Sequence, residues 1–187
     1  NDIKAAWQRV ALFRAVDAVK RADWVTAERL LAESEELSLQ PKYNALTLYW
    51  QGEVAFAQGD MAKAREKYEA YVRRAPKSEL EYLYAHYGIG YTHFVEGNMK
   101  EAAEAFEEFV RDYTKRDDYL FDAQNRIGDS RFALREFVSA RNAYKVTIAS
   151  PSVCRNYARY QLAMLEGIDN KSSKKIDMLK AIVQDGD

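Results

Sequence analysis

The sequence repeats one pattern five times, at intervals of 35 to 38 residues. Each unit carries a small residue at one position: Ala15, Gly52, Gly90, Gly128 and Ala163. Twelve residues after the small residue stand Ala27, Ala64, Ala102 and Ala140, whereas the last unit departs from the pattern with Lys175. Sixteen residues after it comes a bulky residue: Leu31, Tyr68, Phe106, Tyr144 and Leu179. Helices that cross closely need small side chains at the contact, and a bulky neighbour fills the gap to the next pair. The period is typical of an array of stacked helical units.

Each unit is expected to contain two antiparallel helices. Apolar residues recur every three or four positions, as in Ala64, Tyr68 and Tyr71, which is the period of an amphipathic helix. A turn is expected seven residues after each small residue, at Ala22, Gly59, Gly97, Arg135 and Asn170. The three prolines, Pro41, Pro76 and Pro151, lie between units. These signals predict an all-α, right-handed superhelix of about five helix pairs.

The predicted array occupies residues 1–187 as a single domain. Its units are expected at residues 3–40, 42–76, 79–114, 118–150 and 152–185. Whether the array continues beyond these residues stays open. The start, Asn1-Asp2-Ile3-Lys4, lacks a signal-peptide pattern and an initiator methionine, so removal of a leader or anchor also stays open.

Composition and motifs argue against several classes of function. Lys and Arg number 28 against 29 Asp and Glu, which removes the usual electrostatic motive for binding nucleic acid. No apolar run approaches the roughly 18 residues of a membrane-spanning helix. His86 and His93 lie seven residues apart on one expected helix, too far for one metal ion, and Cys154 has no partner cysteine. We therefore expect no enzyme activity, no cofactor and no metal.

Function is instead expected on the concave face that stacked helix pairs create. The first helix of each unit supplies this face, and tyrosines and acidic residues are frequent at the corresponding positions. The predicted protein-binding residues are Tyr49, Glu53, Tyr84, Tyr87, Tyr91, Asp122, Asn125, Asp129, Tyr157 and Tyr160. Tyrosine gives a binding surface a large contact area at low entropy cost, so the expected guest is an extended peptide or a helix of a partner protein. Packing in the core is the alternative for the tyrosines.

Charge differs between the later helices. Glutamates are frequent near residues 101–108, whereas the last helix carries Lys171, Lys174, Lys175 and Lys180. Opposite charges could favour head-to-tail contacts in a homo-oligomer, although solvated helix faces also explain them.

The repeated residues resemble the tetratricopeptide repeat. The stretches from Gly52 to Pro76 and from Gly90 to Tyr113 match its pattern well, and residues 59–64 are similar to its turn. The resemblance implies a non-catalytic scaffold or adaptor for protein–protein interaction. It does not imply the carboxylate clamp of the family's chaperone adaptors, because residues such as Leu12, Val16 and Tyr49 stand at the corresponding positions. The alternative is a regulatory or accessory domain of an enzyme whose catalytic part lies outside this chain.

A second, weaker resemblance concerns location. Residues 122–129 and 160–163 resemble sequence segments of long repeat proteins of bacterial cell envelopes. This resemblance favours the bacterial periplasm or cell envelope over the cytoplasm, and a role in envelope assembly.

Overall fold

A computed structural model describes residues 2–184 of the chain, which form ten α-helices. The helices are α1 (Asp2–Lys20), α2 (Trp24–Leu37), α3 (Pro41–Ala57), α4 (Met61–Val72), α5 (Leu80–Glu96), α6 (Met99–Asp112), α7 (Asp118–Ala133), α8 (Phe137–Ile148), α9 (Arg155–Ile168) and α10 (Ser172–Gln184). The described residues contain no β-strand. The all-α prediction and the five predicted turns are confirmed.

All five turns use the same backbone conformation. The residue seven positions after the small residue has a positive φ angle in every unit: Ala22 (55°), Gly59 (83°), Gly97 (82°), Arg135 (62°) and Asn170 (59°). After α1, the N–H of Asp23 donates to the Ala18 carbonyl and the N–H of Ala22 to the Val19 carbonyl, each at 2.9 Å. This is the Schellman pattern, which satisfies carbonyls at the end of a helix. The same pairs of bonds close the turns at Gly59, Arg135 and Asn170.

An aspartate starts the next helix after two of these turns. The side chain of Asp23 accepts from Thr26 N–H at 3.2 Å, and that of Asp60 accepts from Lys63 N–H at 3.0 Å. Each bond satisfies one of the free N–H groups in the first helical turn. A left-handed residue followed by a capping aspartate thus reverses the chain within three residues.

The structure divides into two compact units, of which the first ends at Glu96 and the second begins at Gly97. We call these the N-terminal unit and the C-terminal unit. The boundary falls inside the third predicted helix pair. The prediction of one array over residues 1–187 therefore stays a prediction.

In the N-terminal unit, consecutive helices from α1 to α5 pack against one another, and α3 also contacts α1 and α5. Tyr68 of α4 is buried between two glycines. A Cβ atom added to Gly52 of α3 or to Gly88 of α5 would stand 2.7 Å from the Tyr68 ring. The small residue predicted at position 52 is thus explained by direct contact with an aromatic ring.

In the C-terminal unit, each of the helices α6 to α10 packs on the next, and α7 also contacts α9. Tyr144 of α8 lies against Gly128 of α7, as Tyr68 lies against Gly52. The core around Tyr144 continues through Ala158, Leu162 and Leu165 of α9. Within residues 2–184, each helix is either too short or too polar to span a bilayer.

Candidate functional site

In the N-terminal unit, three predicted binding residues lie on one stretch of α5. Tyr84, Tyr87 and Tyr91 are all half-buried. The rings of Tyr87 and Tyr91 meet edge to face with their centroids 5.0 Å apart. Tyr91 also contacts Phe56 of α3 at 6.3 Å in the same arrangement, so the aromatic surface continues from one helix to the next. Edge-to-face contacts of this kind hold the rings in fixed orientations.

Tyr49, also predicted as a binding residue, is a core residue. Its side chain is only 6% exposed, and its ring packs against Tyr68 at 6.0 Å and Tyr71 at 5.4 Å. The position three residues before the small residue faces α4 in this unit. We therefore remove Tyr49 from the set of residues available to a partner.

Glu53 borders this core and accepts hydrogen bonds from tyrosine hydroxyls. Tyr68 Oη donates to Glu53 Oε1 at 2.7 Å, and Tyr49 also donates to the carboxylate. Burial raises the pKa of Glu53 above its ordinary value, and the two tyrosine bonds oppose this shift. Glu53 is thus a half-buried carboxylate whose bonds lie within the unit.

In the C-terminal unit, the predicted residue Asp129 is the centre of a hydrogen-bonded cluster. Tyr144 Oη donates to Asp129 Oδ1 at 2.8 Å, and the hydroxyl of Tyr157, another predicted residue, donates to Oδ2 at 2.8 Å. Arg126 Nη1 lies 2.8 Å from Oδ2. Burial raises the pKa of Asp129, whereas Arg126 and the two tyrosine hydroxyls lower it. Three donors thus hold one carboxylate at the junction of α7, α8 and α9.

Arg126 was not among the predicted binding residues, and it pairs with both acidic residues of this cluster, which offsets part of their charge. Its Nε atom lies 3.6 Å from Asp122 Oδ1, and its guanidinium carbon stands 4.9 Å from the centre of the Tyr157 ring. The spacing of Arg126 from Asp122 and Asp129, four and three residues, could have revealed the contacts, because such residues share a helix face. The surface therefore offers hydroxyl and aromatic groups more than net negative charge.

The remaining two predicted residues differ in exposure. Tyr160 is 48% exposed on α9 and is accessible to a partner. Asn125 is 1% exposed, and its Nδ2 donates to the Cys154 carbonyl at 3.2 Å. Like Tyr49, Asn125 is a core residue and we remove it from the set of accessible residues. Both stand three residues before the small residue of their units, as does the buried Leu12 in the first unit.

Groups that could carry chemistry have ordinary surroundings. His86 packs its ring against Tyr82 at 4.9 Å, and the backbone N–H of Cys154 donates to Ser152 Oγ at 3.0 Å. Across residues 2–184, no three His, Cys, Asp or Glu side chains are grouped as metal ligands would be.

Two family models, both described as tetratricopeptide repeat, match residues 12–79 and 84–115. Together these matches cover more than half of the chain. The chain belongs to the tetratricopeptide repeat family. Its helix bounds agree with the match, since the first range runs from within α1 to the segment before α5 and the second from within α5 to just after α6.

Solved structures of tetratricopeptide type share the fold. The crystal structure of MamA protein superposes with a TM-score of 0.80 at 17% identity and covers 96% of this chain and 92% of that one. MamA residues 41–end from Desulfovibrio magneticus RS-1 give 0.78 at 14% identity, covering 95% and 94%. YrrB, described as a TPR protein with an unusual peptide-binding site, gives 0.76 at 16% identity, covering 92% and 83%. The comparison with curated protein sequences found no match. The predicted fold class, an all-α fold of the tetratricopeptide type, is confirmed.

Two tetratricopeptide units of this chain share the tyrosine–carboxylate pair. Glu53 and Tyr68 are 15 residues apart, as are Asp129 and Tyr144, and each pair occupies the same repeat positions. The unit between them has Tyr91 and Phe106 at these positions, a combination without a carboxylate. An acidic residue directly after the small residue, followed 15 residues later by tyrosine, is the sequence signal for this pair.

Proposed function

We propose that the chain is a non-catalytic scaffold for protein–protein interaction that binds an extended peptide or a helix of a partner on its odd-numbered helices. The observation that carries the proposal is the aromatic surface of α5, where the half-buried rings of Tyr87 and Tyr91 are held at 5.0 Å. Membership of the tetratricopeptide repeat family and the fold shared with the peptide-binding protein YrrB support it.

The α5 surface suits binding because it is formed before the partner arrives. Contacts with Phe56 and with each other fix Tyr87 and Tyr91, so little side-chain entropy remains to be lost on binding. Half-buried tyrosine rings offer apolar faces together with a polar tip, which is the combination enriched in binding hot spots.

The C-terminal unit carries a proposed binding surface of its own. Tyr160 is exposed, and Tyr157 is held by Asp129 and Arg126 in a fixed orientation. Because Arg126 offsets one of the two negative charges of Asp122 and Asp129, we expect a partner recognised by shape and aromatic contact more than by a strongly basic sequence.

The test is the double variant Tyr87→Ala with Tyr91→Ala. A partner is first captured with the wild-type protein from the native organism, and its affinity is then measured by calorimetry. We expect the double variant to bind more weakly by about 2 kcal/mol or more, with helicity unchanged in circular dichroism. Tyr119→Ala, which removes an exposed tyrosine from the start of α7, is the matched control and should keep its affinity. Equal affinity of the wild type and the double variant would reject the α5 surface.

The proposed location is the bacterial periplasm or cell envelope, in an assembly role. It rests on the resemblance of residues 122–129 and 160–163 to envelope proteins. Fractionation of the full-length protein tests it, and recovery in the cytosol would contradict it.

A homo-oligomer is a second candidate, favoured by the charges of two helices in the C-terminal unit. Glu101 and Glu104 of α6 are exposed, as are Lys174 and Lys180 of α10. Head-to-tail pairing of these faces predicts an apparent mass in light scattering that falls as salt is added. A monomer at all salt concentrations would contradict it.

A further inference from the structure

The N-terminal unit contains a cavity that the tyrosine surface does not use. It lies where the first turn of α3 meets the end of α4 and the segment before α5, and its volume is about 230 Å³. Pro41, Ala45, Leu46 and Pro76 give it a largely apolar wall. The volume lies below the roughly 300 Å³ at which sites for drug-sized ligands begin, so the cavity suits a smaller group.

Tyr71 is one of the residues that line this cavity, and the fold leaves its buried hydroxyl unpaired. Its side chain is 1% exposed, and Oη has no hydrogen-bond partner among the described residues. Hydroxyls at the equivalent repeat position are satisfied: Ser34 Oγ lies 2.9 Å from Thr47 Oγ1, and Thr147 Oγ1 donates to the Phe121 carbonyl at 3.0 Å. A buried hydroxyl without a partner is costly, so one beside a cavity indicates a bonding group supplied from outside.

Burial also fixes the protonation state of this hydroxyl. It raises the pKa of Tyr71 far above its ordinary value, with the nearby Glu81 and Glu79 acting in the same direction. The phenol is therefore neutral at physiological pH and can donate a hydrogen bond.

The charges around the cavity favour an anionic group. Arg74 lines it, and no acidic side chain of residues 2–184 lies within ion-pair distance of Arg74. The one lining carboxylate, Glu79, lies 3.8 Å from Lys42 Nζ. Pro41 and Lys42 form the first turn of α3, whose N-cap Gln40 makes no side-chain hydrogen bond to it. An uncapped helix N-terminus adds partial positive charge.

We propose that this cavity binds a small apolar carboxylic acid, either free or as the last residue of a peptide. Its apolar body packs against Leu46 and Pro76, and its carboxylate accepts a hydrogen bond from Tyr71 and pairs with Arg74. A neighbouring cavity of about 540 Å³ shares Pro41 and Arg74 as walls and gives a peptide room to continue. The site is independent of the proposed α5 surface.

The test is a titration of the whole chain at neutral pH with benzoate and with a hexapeptide that ends in phenylalanine. We expect saturable binding of at least one probe, measured by calorimetry or NMR. Benzamide, or the peptide with an amidated C-terminus, should bind about tenfold more weakly, because it lacks the charge that Arg74 pairs with. Binding of benzoate alone identifies a free acid as the source, and binding of the peptide alone identifies a C-terminal residue.

Two variants separate a ligand site from a structural role. Tyr71→Phe and Arg74→Gln should each weaken the probe by about tenfold. Tyr71→Phe should also raise the melting temperature by roughly 2–4 °C, because it removes a buried hydroxyl without a partner. The controls Tyr43→Phe and Arg73→Gln change neighbouring residues that do not line the cavity and should leave affinity unchanged.

Three binding results would overturn the proposal. These are no saturable binding of either acid, equal affinity for the acids and their amides, and equal affinity of Tyr71→Phe, Arg74→Gln and the wild type. A loss of stability in Tyr71→Phe would also contradict it, because the hydroxyl would then serve the fold itself.

Discussion

The contact between Gly128 and Tyr144 gives the sharpest prediction about stability. A Cβ atom at Gly128 would stand 2.4 Å from Tyr144 Cε1, and ordinary contact begins at 3.4 Å, so the ring has to move by about 1 Å. Tyr144 is fully buried, and its hydroxyl is held by Asp129 at 2.8 Å. The ring therefore cannot move without losing packing, hydrogen bonding or both.

The size of the effect in Gly128→Ala follows from three terms. Overpacking of a core costs about 1–3 kcal/mol, and loss of a hydrogen bond to a charged group costs about 1.5–3 kcal/mol. The higher helix propensity of alanine returns about 1 kcal/mol. We expect a net loss of about 1.5–5 kcal/mol in the free energy of unfolding, measured by urea denaturation. Gly167→Ala is the matched control, because its Cβ would meet only the flexible end of Lys175 at 3.0 Å, and it should be neutral or slightly stabilising.

A double variant checks the cause. The first unit of the chain combines Ala15 with Leu31, so Gly128→Ala with Tyr144→Leu copies a pair that the protein already uses. In a double-mutant cycle, the loss of stability caused by Gly128→Ala should be at least about 1 kcal/mol smaller when Tyr144 is replaced by leucine. The steric explanation would be refuted if Gly128→Ala were as stable as the wild type, or if the effects of the two substitutions were strictly additive.

Three further predictions concern charge, backbone and pH. Arg141→Gln should lower the free energy of unfolding by about 3 kcal/mol in urea denaturation. Arg141 pairs with the buried Glu166, and the substitution would leave the Glu166 carboxylate without its main partner. Arg135→Gly should raise the free energy of unfolding by about 0.5–1 kcal/mol, because Arg135 has a φ angle of 62°, a left-handed conformation that glycine adopts without the steric cost of a Cβ atom. The pKa of Glu53 is raised by burial, so wild-type stability should fall as pH rises from about 4.5 through the folded-state pKa. Glu53→Gln should show a smaller fall when both proteins are unfolded by urea over the same pH series, and Asp129, whose pKa is also raised by burial, should account for part of what remains.

The sequence predicted the helix pairs because repeat period and turn position are local signals. Ala22, Gly59 and Arg135 share one backbone conformation although their residue types differ, and only the repeat alignment reveals their equivalence. Burial at the edge of a helix face could not be predicted in the same way. The position three residues before the small residue lies at the border between core and surface, so it is buried at Tyr49 and exposed at Tyr160. Whether a residue at this position is buried or exposed depends on the side chains of the facing helix, which only the packed structure shows.

The placement of Tyr68 between Gly52 and Gly88 has a consequence for recombination of repeats. Gly52 and Tyr68 belong to one helix pair, whereas Gly88 belongs to the helix that follows. In the fifth unit the position equivalent to Gly88 holds Gln161. Placing residues 41–76 directly before α9 would therefore bring the Tyr68 ring against a glutamine side chain. The repeats of this chain are thus an ordered series, in which each helix pair accepts only certain successors, and engineered arrays should keep α3, α4 and α5 together.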